Sequence, residues 1–219
     1  VVAGTGSNST AGAIELQDHA KQVGADAGLV VAPYYNKPSQ DGIAAHFLAI
    51  ADAVALPIVA YNVPGRTITD ITPETMARIA EHPNLVGVKD ATGEVERVTL
   101  HRAMIGEAFV QLSGEDASAL GYNVHGGRGA ISVTSNVAPE LCAQFQDACL
   151  AGDWERARRL NDQLMPLHAA LFAAPSPGPS KYALSLLGLC EPEVRLPLLE
   201  CPEAAKDQVR RAMEGCGLI

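Results

Sequence analysis

The sequence carries the segment Leu85-Val86-Gly87-Val88-Lys89-Asp90-Ala91-Thr92-Gly93, an apolar run that ends in a lysine and passes into a small polar turn. A continuous apolar run predicts a strand that is buried on both faces. A lysine at the end of such a strand loses hydration, which disfavours its charged form and leaves an amine that attacks carbonyl compounds to give an imine. The alternative interpretation is that Lys89 only extends to solvent at the mouth of the strand.

Five other apolar runs predict further strands, at residues 1–3, 27–32, 57–63, 109–113 and 129–133. Helical patterns separate most of these runs, and this alternation is typical of parallel βα units. Polar and aromatic residues follow the carboxyl ends of the strands, where a (β/α)8 barrel carries its chemistry. The sequence therefore predicts an α/β fold of the TIM-barrel class, with six of the eight βα units in this chain.

The strand pattern stops at about Ala138. Apolar residues at helical spacing then predict a long helix: Ala157, Leu160, Leu164, Leu167 and Leu171. We therefore predict a barrel portion over residues 1–150, with strands 3 to 8 of the eight, and a C-terminal helical region over residues 151–219. The two βα units that complete the barrel are expected to precede Val1.

The composition narrows the class of function. The formal net charge is -9 and no basic cluster occurs, which argues against nucleic acid and anionic membranes as partners. The five cysteines are an odd number without a C-x-x-C pair, which argues against a disulfide framework or a zinc site and favours a reducing, cytoplasmic location. No apolar run reaches the roughly 18 residues of a membrane-spanning helix.

Side chains that follow neighbouring strands are candidates for one site with Lys89. Tyr61 lies at a matching depth on the preceding strand, so the two residues are expected to face each other across the barrel, where a phenol can shuttle protons for imine formation. Arg66 offers a planar fork for a substrate carboxylate. Each has a simpler interpretation: a tyrosine whose hydroxyl has found a partner, or an arginine on a surface loop. The pair Tyr34 and Tyr35 either packs at an interface or extends a proton relay.

Five motifs, in this order and spacing, resemble the 4-hydroxy-tetrahydrodipicolinate synthase (dihydrodipicolinate synthase) family. They are residues 33–38 (PYYNKP), 61–67 (YNVPGRT), 87–93 (GVKDATG), 112–117 (LSGEDA) and 126–132 (GGRGAIS). The lysine motif is common to the wider superfamily of pyruvate-dependent lyases, whereas the YNVPGRT motif is more particular to the synthase. The resemblance covers essentially the whole chain.

The resemblance implies that Lys89 forms an imine with pyruvate, which becomes an enamine and attacks L-aspartate 4-semialdehyde. It assigns proton transfer to Tyr61 and a hydroxyl relay to Tyr35, which the family contributes across a subunit interface. It further implies no cofactor and no metal, and a homo-oligomer built as a dimer of dimers.

The resemblance also assigns substrate binding to three residues, of which Arg66 holds the carboxylate of the semialdehyde. Ile131 offers backbone contacts beside the lysine, and Gly114 belongs to the same group. Asn8 and Tyr34 match positions of an allosteric lysine site that some members have. Those members carry an acidic residue where this sequence has Gly12, so we expect weak feedback.

One family motif has no counterpart: a Gly-Thr-Thr-Gly-Glu segment, which supplies a relay threonine and holds the pyruvate carboxylate, belongs to the second βα unit. Two alternatives therefore accompany the synthase interpretation. The first is another aldolase of the superfamily, acting on N-acetylneuraminate or a 2-keto-3-deoxy sugar acid. The second is an inactive, truncated chain.

Overall fold

A computed structural model of the protein describes all 219 residues, from Val1 to Ile219. Five strands form one parallel sheet in chain order, namely β1 (Val2–Gly4), β2 (Ala27–Val31), β3 (Ile58–Asn62), β4 (Leu85–Asp90) and β5 (Val110–Ser113). The helices are α1 (Thr10–Gln22), α2 (Gln40–Ala53), α3 (Pro64–Thr67), α4 (Pro73–Ala80), α5 (Arg97–Ile105), α6 (Ala119–Val124), α7 (Pro139–Leu150), α8 (Trp154–Ala170), α9 (Gly178–Leu186) and α10 (Glu203–Gly215). None of them is both long enough and apolar enough to cross a membrane.

The helices begin where side chains can satisfy the free amides of the first turn. Ser9 accepts a hydrogen bond from the amide of Gly12 at α1, and Ser39 does the same for Gly42 at α2. Thr72 accepts from the amide of Thr75, and a proline follows it at the first position of α4. Each of these three helices therefore starts with a side-chain cap.

By compactness the chain divides into two units. The first consists of residues 1–115 and 121–131, and the second of residues 116–120 and 132–219. The predicted boundary after residue 150 assigns α7 to the barrel portion. Compactness instead groups α7 with the later helices, because the buried face of α7 packs against α8.

The core of the first unit lies between the sheet and its helices. Alternate strand residues, among them Ala60 and Val88, point to this core and are fully buried. Three residues of α2 (Ile43, Phe47 and Ile50) and two of α4 (Met76 and Ile79) fill it from the helix side. Tyr61 directly follows Ala60 in β3, and Lys89 directly follows Val88 in β4, so both side chains point to the opposite face of the sheet.

The second unit is helical. Its core includes Leu164, Leu167 and Leu171, which are fully buried, so the predicted apolar stripe of α8 is confirmed. The polar side chain of Asp116 lies in this unit and accepts hydrogen bonds from the amides of Val133 and Thr134 at 2.9 and 3.0 Å.

The sixth predicted strand, residues 129–133, is wrong as a full strand. It is reduced to one parallel bridge, between Ser113 and Ala130. Gly129 has a positive φ of 143°, which departs from the extended backbone on one side of the bridge. On the other side, Val133 leads directly into a 3-10 turn at Thr134–Asn136, so no room is left for further pairing.

Gly87 is a position in β4 where a side chain does not fit. A Cβ there would lie 2.4 Å from the carbonyl oxygen and 2.9 Å from the Cβ of Val110 on the neighbouring strand. We expect Gly87→Ala to lower the free energy of unfolding by about 1–3 kcal/mol, the usual cost of overpacking, as measured by urea denaturation. Gly65→Ala is the matched control, since no atom lies within 4 Å of the added methyl group. An equal stability of the two variants would contradict the close approach of β4 and β5.

Candidate active site

Lys89 lies one residue before the carboxyl end of β4, in register with Tyr61 of β3. Its Nζ atom is 4.1 Å from the centroid of the Tyr61 ring. The predicted matching depth is thus confirmed, but the two residues are neighbours on adjacent strands and do not face each other across a barrel. The correction follows from the strand order, because β3 and β4 pair directly in the sheet. An amine and a phenol at this distance can exchange protons through a bound substrate.

Gly114, directly after β5, leaves space for the stem of the lysine. A Cβ on Gly114 would lie 3.0 Å from Cε and 3.2 Å from Cγ of Lys89, and 2.9 Å from Cβ of Ala91. The absence of a side chain at this position therefore sets the path of Lys89 across the sheet. No sequence pattern other than the family motif indicated this residue.

The phenol of Tyr61 is half-buried, and two opposite charges act on it. Burial raises the pKa of Tyr61, the guanidinium of Arg66 opposes this shift, and the carboxylate of Glu115 adds to it. The net result is a raised pKa, so the phenol keeps its proton at neutral pH and can donate it. Glu115 was not among the predicted site residues, and only its place directly after Gly114 indicates it.

Arg66 belongs to α3, the short helix that follows β3 almost directly. The helix ends at Ile68, whose backbone is left-handed with a φ of 62°. The hydroxyl of Thr67 donates to the carbonyl oxygens of Val63 and Thr69 and holds this turn closed. Arg66 is exposed, and its charge is near enough to Tyr61 to lower the pKa of the phenol.

Ile131 is brought to the same end of the sheet by the bridge after β5. Its amide donates to the carbonyl oxygen of Ser113 at 2.8 Å, and the amide of Ser113 donates to the carbonyl oxygen of Gly129 at 2.8 Å. Ile131 is partly buried, so its backbone lies beside the turn that begins at Gly114.

The segment after β2 carries the remaining predicted residues. Asn8 donates through Nδ2 to the carbonyl oxygen of Tyr34 at 3.2 Å, so the two predicted residues of an allosteric site do lie together. Asn36 donates back to the carbonyl oxygen of Asn8 at 2.9 Å. Tyr35 has a left-handed backbone with a φ of 75° and is 87% exposed, so this chain does not bury its ring.

A buried polar network on the other face of β3 and β4 was missed at the sequence level. Arg97 binds both carboxylate oxygens of Asp70, at 2.8 and 2.9 Å, and also the carboxylate of Glu94 at 2.6 Å. Asn62, next to Tyr61, donates to Asp70 at 2.8 Å. Burial would lower the pKa of Arg97, but its two acidic partners raise it, so the guanidinium stays charged.

Asp90, next to Lys89, is also buried and accepts two hydrogen bonds from Thr92. The only signal for it was its place beside the lysine. No group of three or more histidine, cysteine, aspartate or glutamate side chains is arranged to hold a metal ion.

A parallel sheet of βα units, with a lysine and a tyrosine in register at its carboxyl edge, is the layout of a (β/α)8-barrel enzyme that acts from that edge. The comparisons with known proteins are more specific. The model of the dihydrodipicolinate synthetase family matches residues 1–215, and the chain belongs to that family.

The relatives carry one activity name. The 4-hydroxy-tetrahydrodipicolinate synthase of Parvibaculum lavamentivorans is 60% identical over 219 residues, which are 100% of this chain and 75% of that protein. The solved dihydrodipicolinate synthase of Thermotoga maritima superposes with a TM-score of 0.97 at 38% identity, over 100% of this chain and 76% of that one. The chloride-inhibited enzyme of Acinetobacter baumannii, solved in complex with pyruvate, gives a TM-score of 0.96 at 45% identity, over 100% and 75% of the two chains. The predicted family and the predicted TIM-barrel fold are confirmed.

The geometry around Gly114 makes a prediction about Lys89. We expect Gly114→Ala to displace the lysine stem and to slow any reaction of its amine with a carbonyl compound by about tenfold to a hundredfold, the usual effect of a misplacement of about 1 Å. Reduction with borohydride in the presence of pyruvate, followed by peptide mass spectrometry, measures this rate. Gly4→Ala is the control, since a methyl group there meets no atom within 4 Å. An unchanged rate in Gly114→Ala would show that Lys89 reaches its working position by another path.

Proposed function

We propose that the protein condenses pyruvate with L-aspartate 4-semialdehyde to give 4-hydroxy-tetrahydrodipicolinate, a step of diaminopimelate and lysine biosynthesis. The observation that carries the proposal is the amine of Lys89 over the ring of Tyr61, 4.1 Å from its centroid, at the carboxyl ends of paired strands. The activity name of the relatives and the pyruvate complex of the Acinetobacter enzyme support the choice of substrates.

In the proposed reaction, the amine of Lys89 adds to the keto carbon of pyruvate, and loss of water gives an imine. Loss of a methyl proton converts the imine into an enamine, whose carbon attacks the aldehyde of the semialdehyde. The amino group of the semialdehyde then displaces Lys89 and closes the ring. The net reaction joins the two substrates with loss of one water molecule. Tyr61, whose raised pKa keeps it protonated, donates and takes back the proton at each stage.

The remaining residues have binding roles in the proposal. Arg66 holds the carboxylate of the semialdehyde, and the backbone at Gly114 and Ile131 contacts the substrate beside the lysine. A carboxylate clamp next to Tyr61 favours the semialdehyde over the neutral polyol chain of a sugar acid, which needs hydroxyl partners at that position.

The exposed tyrosine pair supports an assembly of several copies of the chain. Tyr35 is 87% exposed and Tyr34 is 40% exposed, so both rings remain available to a second copy. We propose a homo-oligomer, arranged as a dimer of dimers, in which Tyr35 completes the hydroxyl relay of the neighbouring copy. Asn8 and Tyr34 would then form a lysine site near this contact, weakened by Gly12.

The proposal is tested by trapping the imine. Incubation with pyruvate and borohydride should add one carboxyethyl group to the peptide that carries Lys89. Lys89→Arg should abolish the label, because a guanidinium forms no such imine. The four other lysines are internal controls and should stay unlabelled: Lys21, Lys37, Lys181 and Lys206. Labelling of those peptides, or labelling that persists in Lys89→Arg, would overturn the assignment.

The role of Arg66 is tested by separating the two substrates. Arg66→Ala should lower the specificity constant for the semialdehyde by about one to two decades, because a charge-assisted contact is worth about 1.5–3 kcal/mol. Trapping of pyruvate should change little. Arg66→Lys keeps the charge without the planar fork and should lie between the two. If pyruvate trapping fell as far as turnover, Arg66 would instead be holding the loop in place.

A further inference from the structure

We propose that Asp90 is a positioning residue for Lys89, and that it acts through the turn that its carboxylate closes directly after β4. This inference rests on the proposed function of Lys89 and extends it to a residue that does not touch the substrate. Asp90 is 3% exposed, and its side chain points away from that of Lys89, because consecutive strand residues face opposite sides of a sheet.

The carboxylate of Asp90 organises the turn through one oxygen. Oδ1 accepts from the amide of Thr92 at 2.8 Å and from its hydroxyl at 2.6 Å. The same hydroxyl oxygen accepts from the amide of Glu94 at 3.1 Å. An aspartate that accepts from the amide two residues ahead forms an Asx turn, which fixes the backbone where a strand ends. Asp90 therefore holds the backbone of the turn from Ala91 to Thr92, directly after the strand that carries Lys89.

The backbone of the same turn is tied to both neighbouring strands. The carbonyl oxygen of Asp90 accepts from the amide of Gly114 at 2.6 Å, and the amide of Ala91 donates to the carbonyl oxygen of Asn62 at 2.8 Å. These bonds bring Ala91 against Gly114, at the place where the stem of Lys89 passes. A change in the turn would thus move both the base of Lys89 and the surface along which its stem lies.

The two carboxylate oxygens of Asp90 differ in their hydrogen bonds, which indicates how the side chain holds the turn. Oδ2 is buried and has no hydrogen-bond partner, as is also true of Oη of Tyr122 and Nε2 of His101. Burial raises the pKa of Asp90, while the hydrogen bonds from Thr92 and the charges of Arg97 and His101 lower it. Since no donor uses Oδ2, the contribution of the side chain comes through Oδ1. Asparagine keeps that acceptor and should replace aspartate, whereas alanine should not.

The experiment compares Asp90→Ala, Asp90→Asn and Thr92→Val with the parent protein in the pyruvate trapping assay. Asp90→Ala should slow labelling of Lys89 by about tenfold to a hundredfold. Asp90→Asn should label at close to the parent rate, and Thr92→Val, which keeps the amide donor, should fall between them. Gln111→Met is the control for lost stability, since Gln111 is buried on the same face of the sheet and its side chain is hydrogen-bonded to His101 and Val98 rather than to the turn. Thermal melting of each variant shows whether it is folded.

A second measurement needs no pyruvate. Limited acetylation with acetic anhydride, followed by mass spectrometry, reports the reactivity of Lys89 relative to Lys37. This ratio should change in Asp90→Ala and not in Asp90→Asn or Gln111→Met. A parent protein that traps no pyruvate at Lys89 would refute the proposed function, while the acetylation ratio would still decide the positioning role. The inference is overturned if Asp90→Asn behaves like Asp90→Ala, which would mean that the charge matters, or if Lys89 reacts equally in all variants.

Discussion

The parallel pairing of β3 with β4 is the constraint on which the site depends. It sets Tyr61 beside Lys89 and Asn62 beside Asp90 at consecutive steps of the same register. Because side chains alternate along a strand, the first pair points to one face of the sheet and the second pair to the other. A slip of one residue would exchange the two faces and put the amine among the helices. The apolar residues that precede these pairs resist such a slip, since they bury one face completely.

Asn62, of the second pair, stabilises the chain that follows the first pair's strand β3. Asn62 binds Asp70, and it also accepts from the amide and donates to the carbonyl of Ile71, so the loop that follows Arg66 is fastened to the end of β3. Arg97 of α5 completes the arrangement by binding Asp70 from the other side. The guanidinium of Arg97 is largely buried, so the carboxylates of Asp70 and Glu94 compensate a charge that has lost most of its hydration. The loop that follows Arg66 is therefore positioned by a polar network on the face of the sheet opposite to Tyr61 and Lys89.

The sequence predicted the parts of the structure that depend on local pattern. The buried strands and the apolar face of α8 follow from spacing and residue type. The sixth strand failed because the run at residues 129–133 has strand-like composition, whereas Gly129 and the turn at Val133 limit its pairing to one bridge. The network around Arg97 was missed because Asp70, its bidentate partner, lies 27 positions earlier in the chain, although Glu94 lies only three positions earlier. No local pattern distinguishes such a buried arginine from an exposed one.

Two left-handed residues show why the loops of the site resist prediction more than its strands do. Tyr35 and Ile68 have positive φ values of 75° and 62°, although neither residue type favours that conformation, and such a residue costs on the order of 1–3 kcal/mol. Local hydrogen bonds offset the cost at Ile68, whose amide donates to the carbonyl of Pro64 at 2.8 Å. At Tyr35 the support comes from Asn8 in the loop after β1, which donates to the carbonyl of Tyr34 and accepts through its own carbonyl from Asn36. The strands thus place Lys89 and Tyr61 by a rule that the sequence shows, whereas the loops of Arg66 and Tyr35 depend on left-handed conformations at Ile68 and Tyr35 that these residue types do not indicate.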